Sequence, residues 1–134
     1  MAPPKNMIPL ETQEQFEQLL RPRTTNRNTI QMHEEKKYVP CVGIAFGASW
    51  CGPCRRLDKD LISAKTPFVK WYYCDVDVNS YTLGYCGLKS IPSFVLIQDG
   101  YFNTNTLSNV GNNDSVIDWV NSQVNIQVKS EVRK

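Results

Sequence analysis

The chain lacks any apolar run approaching the ~18 residues that a membrane-spanning helix needs, so no such helix is expected. It also lacks a dominant sign of charge. Fifteen Lys and Arg stand against 13 Asp and Glu, for a formal net charge of +2, and the basic residues are scattered among the acidic ones. That pattern leaves no electrostatic footprint for nucleic acid or for a membrane surface. Neither partner is expected. There are no internal repeats, and the single histidine, His33, has no ligand-spaced neighbour and reads as a solvated loop residue. Met1 to Lys5 carries two prolines and none of the apolar core of a secretory leader, so the expected location is the cytosol. Five cysteines, an odd number without framework spacing, fit a reducing compartment better than a disulfide-stapled secreted fold.

What is present is enough for one domain: 134 residues, 41% of them hydrophobic, can bury a single core. Met7 to Leu10 reads as a short edge strand. Thr12 follows as a helix N-cap with Gln15 as its capping-box partner, and the helix should run to about Leu20 with Phe16, Leu19 and Leu20 on one face. Arg21-Pro22 ends it, because the residue before proline avoids the helical region. Residues 23–38 are polar and basic, anchored only by Ile30 and Met32, and exceed the ~2–6 residues of an ordinary connection. They read as an inserted loop. Val39 to Ala48 is nearly all apolar, as suits a central parallel strand covered on both faces.

Downstream, Arg55 to Lys65 has helical spacing with Leu57, Leu61 and Ala64 as its inward face. Phe68 to Val78 is the next strand, rich in aromatic and β-branched residues, and Ser80 to Tyr85 is a short helix. Phe94 to Gln98, Asp99-Gly100 and Tyr101 to Leu107 form an antiparallel hairpin, for which Asp-Gly is a strong turn signal. A last amphipathic helix, from about Asn113 to Gln123, turns Val116, Ile117, Val120 and Val124 inward. The tail 125–134 is polar and expected to fray. The order of elements implies an α/β fold, a central mixed β-sheet flanked by helices on both faces, with a core spanning about 8–124.

Between the apolar strand and the charged helix lies Trp50-Cys51-Gly52-Pro53-Cys54. Two cysteines with two residues between them can close a small disulfide ring and open it again. At a helix start the unpaired backbone N–H groups favour an anion, here a Cys51 thiolate. Gly52 lets the turn bend, and Pro53 occupies the first helical turn, where no N–H is missed.

This pentapeptide, with Ile91-Pro92-Ser93 further on, resembles the active site and cis-proline loop of the thioredoxin family. Asp77, Asp99-Gly100 and Gly111 also fall where thioredoxins place comparable residues. The resemblance implies the thioredoxin fold and a protein-disulfide reductase: Cys51 is the nucleophile that forms a mixed disulfide, and Cys54 resolves it. It implies disulfide-containing protein substrates, thioredoxin reductase or glutathione as electron donor, and no cofactor or metal. Pro92 would be cis and would face an extended peptide, with Trp50, Ile91, Val110 and Gly111 completing the rim.

Three positions depart from the family pattern. Ala45 stands where thioredoxins usually bury an aspartate, Tyr73 replaces a lysine commonly paired with it, and Lys59 replaces a helix-kinking proline. The last implies a straighter active-site helix. Cys41 and Cys74 read as packing residues in strands, whereas Cys86, in a loop near the active face, is a candidate for regulation by oxidation or dimerisation. Trp71 and Trp119 read as packing residues. Two other functions compete with the reductase: a redox-weak thioredoxin-like binding or structural module, and a zinc site recruiting Cys51 and Cys54, against which stands the lack of a second CxxC pair.

Overall fold

A computed structural model describes residues 4–22 and 37–132, with side chains through Val124. Five strands form one sheet in the order β1-β3-β2-β4-β5: β1 (Ile8–Pro9), β2 (Cys41–Gly47), β3 (Lys70–Asp75), β4 (Ser93–Gln98) and β5 (Tyr101–Ser108). β1, β3 and β2 run parallel, while β4 and β5 run antiparallel to their neighbours, so the sheet is mixed as expected. Pro9 is tolerated because β1 is an edge strand.

Every residue of β2 is buried, because alternate side chains enter two different cores. Cys41 and Ala45 face one layer with Trp71, Phe94 and Leu96, closed by Ile62, Val116 and Val120 from two helices. Val42, Ile44 and Phe46 face the other, with Cys74, Val95 and Ile97 and with Phe16 from the first helix. That first helix, α1 (Gln13–Gln18), has the expected capping box: the Thr12 hydroxyl accepts from Gln15 N–H at 3.1 Å and Gln15 Oε1 accepts from Thr12 N–H at 3.0 Å. The hairpin turn places Asp99 at φ 52° and Gly100 at φ 82°, the two left-handed residues that Asp-Gly supplies with least strain.

The expected helix from Arg55 to Lys65 is two helices, α2 (Gly52–Arg55) and α3 (Lys59–Lys65). An unbroken helix would send Asp58 N–H to the Cys54 carbonyl. Instead that N–H goes to Asn113 Oδ1 at 2.8 Å, and the Asp58 carboxylate caps α3 by accepting from Leu61 N–H at 3.0 Å. The expected straightening by Lys59 therefore does not occur: the interruption needs no proline. It also resets the helical phase. Leu57 and Ile62 are buried, whereas Leu61 and Ala64 are exposed, contrary to an inward face counted along one helix.

Two other boundaries move. β3 is shorter than Phe68 to Val78, because an Asx turn at Asp75 curls the chain away: Asp77 N–H bonds the Asp75 carboxylate and Val78 N–H bonds the Asp75 carbonyl. Phe68 and Val78 are left exposed. After α4 (Tyr81–Tyr85), the last helix α5 runs Asn113–Val132, well past Gln123 and through most of the tail expected to fray. In the sequence Val120, Val124, Val128 and Val132 recur at i, i+4 spacing, a helical period that runs past Gln123. The expected insertion at 23–38 lies outside the described residues apart from Lys37 and Tyr38; His33, Ile30 and Met32 fall within that undescribed stretch.

Candidate active site

Parallel strands β2 and β3 both end, at their C-terminal edge, beside the strand-to-helix turn that carries the two cysteines. Cys51 and Cys54 are joined by a disulfide. Cys51 is the N-cap of α2, and its sulfur accepts a hydrogen bond from Cys54 N–H at 3.2 Å. That N–H remains aimed at the sulfur when the bond opens, where it would stabilise a thiolate directly. Cys51 is 5% exposed and Cys54 1%, so an incoming reagent meets Cys51 first.

Around the pair, Ala48, Val76 and Ile91 form a small apolar cluster. Val76 was not singled out from the sequence; it arrives because its N–H bonds the Gly47 carbonyl at 3.0 Å, just beyond the end of β3. The Ile91–Pro92 peptide is cis and Pro92 is buried. Asn109 N–H bonds the Pro92 carbonyl at 3.1 Å, which brings the Val110-Gly111 segment alongside. Of these two, Val110 is buried in the core layer that contains Ala45, and only Gly111 is exposed. The surface beside the disulfide is therefore made of Trp50, Ile91 and Gly111, with Pro92 and Val110 beneath it.

Trp50 is 65% exposed, a large apolar side chain left in solvent beside the sulfur pair. Its indole N–H is shared between the two carboxylate oxygens of Asp77, at 3.0 and 3.2 Å. This contact crosses 27 residues and could be guessed only from the position of Asp77 just past a strand.

Behind the disulfide, β2 and β3 pair Ala45 directly with Tyr73. Two of the three positions where the family pattern is broken are thus neighbours. A side chain on Gly47 would lie 2.9 Å from the Tyr73 hydroxyl and 3.5 Å from Cys54 Cβ, so the phenol and Cys54 border the same side of Gly47. Burial first, then Asp75, Cys74 and Asp77, push the Tyr73 phenol up to about 12, which keeps it protonated at neutral pH. Lys59 completes this underside. Its ammonium donates to the Cys54 carbonyl at 2.9 Å and lies 5.6 Å from the centre of the Tyr73 ring. Burial lowers its pKa, against the opposing pull of Asp58 and Asp60.

The remaining cysteines are unpaired. Cys41 and Cys74 are buried in strands, and burial pushes their thiols up to about 11 and about 12. Cys86 was expected near the active face; it caps α4 and lines a small cavity of about 80 Å³ with Phe16, Leu20, Tyr85 and Phe102, apart from the cluster on the disulfide. Burial and the nearby Cys74 push it up to about 12, which makes it a poor nucleophile.

The thioredoxin family profile matches residues 24–122. The chain belongs to the thioredoxin family. Among curated relatives, Thioredoxin-3, mitochondrial, of Saccharomyces cerevisiae is 33% identical over 79 residues, 58% of this chain and 58% of that protein. A thioredoxin of Rickettsia prowazekii is 33% identical over 86 residues, 62% of this chain and 81% of that protein. The chain thus spans little more than half the length of the first of these relatives. The crystal structure of mitochondrial thioredoxin 3 from Saccharomyces cerevisiae superposes with TM-score 0.62 at 22% identity, over 87% of this chain and 94% of that one. Thioredoxin from Trypanosoma brucei brucei gives TM-score 0.65 at 19% identity over 96% of both. These superpositions establish the thioredoxin fold.

Proposed function

We propose that this thioredoxin-family chain is a thiol-disulfide oxidoreductase that reduces protein disulfides. The observation that carries the reading is the Cys51–Cys54 pair at the N-terminus of α2, with the Cys51 sulfur bonded by Cys54 N–H and the exposed Trp50 beside it. In the reduced protein the Cys51 thiolate attacks one sulfur of the substrate disulfide and displaces the other as a thiolate. Cys54 then attacks Cys51, closing the ring and releasing the second substrate thiol. Two electrons pass from the dithiol to the substrate.

An extended substrate strand would lie against Trp50, Ile91 and Gly111, over Pro92 and Val110. Thioredoxin reductase or glutathione would return the protein to the dithiol. A structural relative from work on a yeast mitochondrial 1-Cys peroxiredoxin and its glutathione/thioredoxin systems, at TM-score 0.64 and 21% identity, is consistent with either reductant. Three unpaired cysteines favour a reducing compartment, and we assign the cytosol; fractionation of cells checks it.

Reduction of insulin disulfides by the reduced chain tests the activity. Cys51→Ser should abolish it, because serine supplies no thiolate at neutral pH. Cys54→Ser should leave the first attack intact and accumulate mixed disulfides on Cys51 that dithiothreitol releases; adducts on Cys54 instead would reverse the two roles. The Ala45–Tyr73 pairing in place of the family's charged pair is the one observation favouring a redox-weak binding module. Absence of insulin reduction by a correctly folded dithiol protein would decide for that module.

A further inference from the structure

Resolution requires Cys54, 1% exposed, to give up a proton and carry negative charge. Taking an anion out of water is costly unless an opposite charge or a donor meets it. The two positions where the family pattern supplies ionisable groups hold Ala45 and a Tyr73 that stays neutral. On this side the structure places the Lys59 ammonium, 2.9 Å from the Cys54 carbonyl oxygen.

Two features hold it there. The break between α2 and α3 leaves the Cys54 carbonyl without its i+4 partner, since Asp58 N–H is taken by Asn113, and the Lys59 ammonium fills the vacant acceptor beside a 3.3 Å bond from Leu57 N–H. The Tyr73 ring meanwhile gives the ammonium a π-face at 5.6 Å. One partner is the carbonyl of the resolving cysteine itself, and the other, Tyr73, borders Gly47 on the side that Cys54 Cβ also borders. A cavity of about 460 Å³ is lined by both Lys59 and Tyr73 and brings solvent to this side of the ammonium. Its walls bring Arg55 and Arg56 from the end of α2, Asp58 and Asp60 around the start of α3, and Tyr73 and Asp75 from β3.

We propose that Lys59 is the positioning residue of the resolving step, holding a positive charge on the buried side of Cys54 while its thiol ionises. This rests on the dithiol reading above. The Cys54 proton leaves to solvent, the Cys54 thiolate forms the bond to Cys51 Sγ, the Cys51–substrate bond breaks, and the substrate sulfur departs as a thiolate that solvent protonates. Lys59 exchanges no proton in this step. The neighbouring carboxylates Asp58, Asp60 and Asp75 act against the ammonium, while Arg55 and Arg56 act with it, so the net effect is read by experiment on the whole chain.

The experiment uses dithiobis-nitrobenzoate on the reduced protein. Attack by Cys51 releases one nitrothiobenzoate, and resolution by Cys54 releases a second, so the two steps separate in stopped flow. In Lys59→Met the pH midpoint of the second release should rise by about one unit, a slowing of about tenfold at neutral pH, with the first release little changed. Lys59→Arg, which keeps the charge, should restore most of the rate. A second release whose pH profile superposes on the wild type in Lys59→Met overturns the proposal, whatever happens to stability. Should Lys59→Met not fold, the wild type decides: the Lys59 side-chain ¹⁵N resonance should show an inflection at the pH where the Cys54 ¹³Cβ resonance titrates, and its absence overturns the proposal equally. A wild type that releases the first nitrothiobenzoate and never the second sinks the dithiol reading itself, a result distinct from either of these.

Discussion

Ala45→Asp places a carboxyl where the thioredoxin pattern has one and tests whether this site is still able to accept it. Ala45 is 1% exposed, flanked across the sheet by Tyr73 and Phe94. Lys59, the cation that meets the neighbouring Tyr73 ring, is already committed to the Cys54 carbonyl and that ring. Burial without a free partner raises the folded-state pKa of the new carboxyl above its unfolded value of about 3.9. Each unit of that rise costs about 1.4 kcal/mol once the pH exceeds the folded value. If the folded pKa reaches about 7, the penalty at neutral pH is about 4 kcal/mol, a large part of an ordinary domain stability of about 5–15 kcal/mol.

The sign fixes the pH window. A raised acid contributes no penalty below its unfolded pKa, where both states are protonated, and the deficit grows as the pH climbs from about 4 towards the folded value. Only the added volume, worth about 1–3 kcal/mol, should remain at about pH 4. Denaturant unfolding of the oxidised variant and wild type at about pH 4 and about pH 7 measures the difference, with other carboxylates cancelling between the two proteins. A stability deficit equal at both pH values would refute the reasoning, because it would mean that the carboxylate has found a cation or water.

Gly43→Ala should cost about 1–3 kcal/mol by overpacking, measured as a lowered denaturant midpoint with unchanged slope. Its Cβ would stand 2.5 and 2.6 Å from two ring atoms of Trp71, and Trp71 cannot step aside: it donates to Thr66 at 2.9 Å and meets Phe94 edge-on at 6.1 Å. Mild alkali should destabilise the oxidised protein. The buried thiols are raised from 9.0 to about 11 at Cys41 and about 12 at Cys74, so their contribution is complete below the unfolded value and lost as the pH rises through the folded ones. Each adds a slope of about 1.4 kcal/mol per pH unit in that window, and Cys41→Ala or Cys74→Ala should flatten it; parallel curves would contradict the burial argument.

Much of this architecture is written locally in the chain. The unbroken apolar run of β2, the Thr12 to Gln15 box, the Asp99-Gly100 turn and the strand-to-helix position of Cys51 and Cys54 each follow from residues within a few places of one another. The misread parts depend on partners far along the sequence. Asp58 breaks the active-site helix because Asn113, 55 residues away, takes its N–H. That long-range bond is also why Leu61 points out and Ile62 in, since periodicity counts correctly only within one continuous helix. Lys59 read as the loss of a kink; its side-chain bond to Cys54 needs the break and the Tyr73 ring together. The extension of α5 was different: the valine spacing that carries it was present in the sequence and outweighed by the polar residues between.

The Cys51–Cys54 link closes a loop of sequence separation 3. Restricting so short a loop removes little freedom from an unfolded chain, about 2 kcal/mol in the chain-entropy picture against about 4.7 kcal/mol for a loop of about 100 residues. The bond is therefore a reagent that the fold carries, not a fastening on which it depends. Making and breaking it leaves the two cores, far larger in their contribution, intact. Neither of those cores contains the sulfur pair, so a partner that must tell oxidised from reduced chain would have to read the sulfur pair itself.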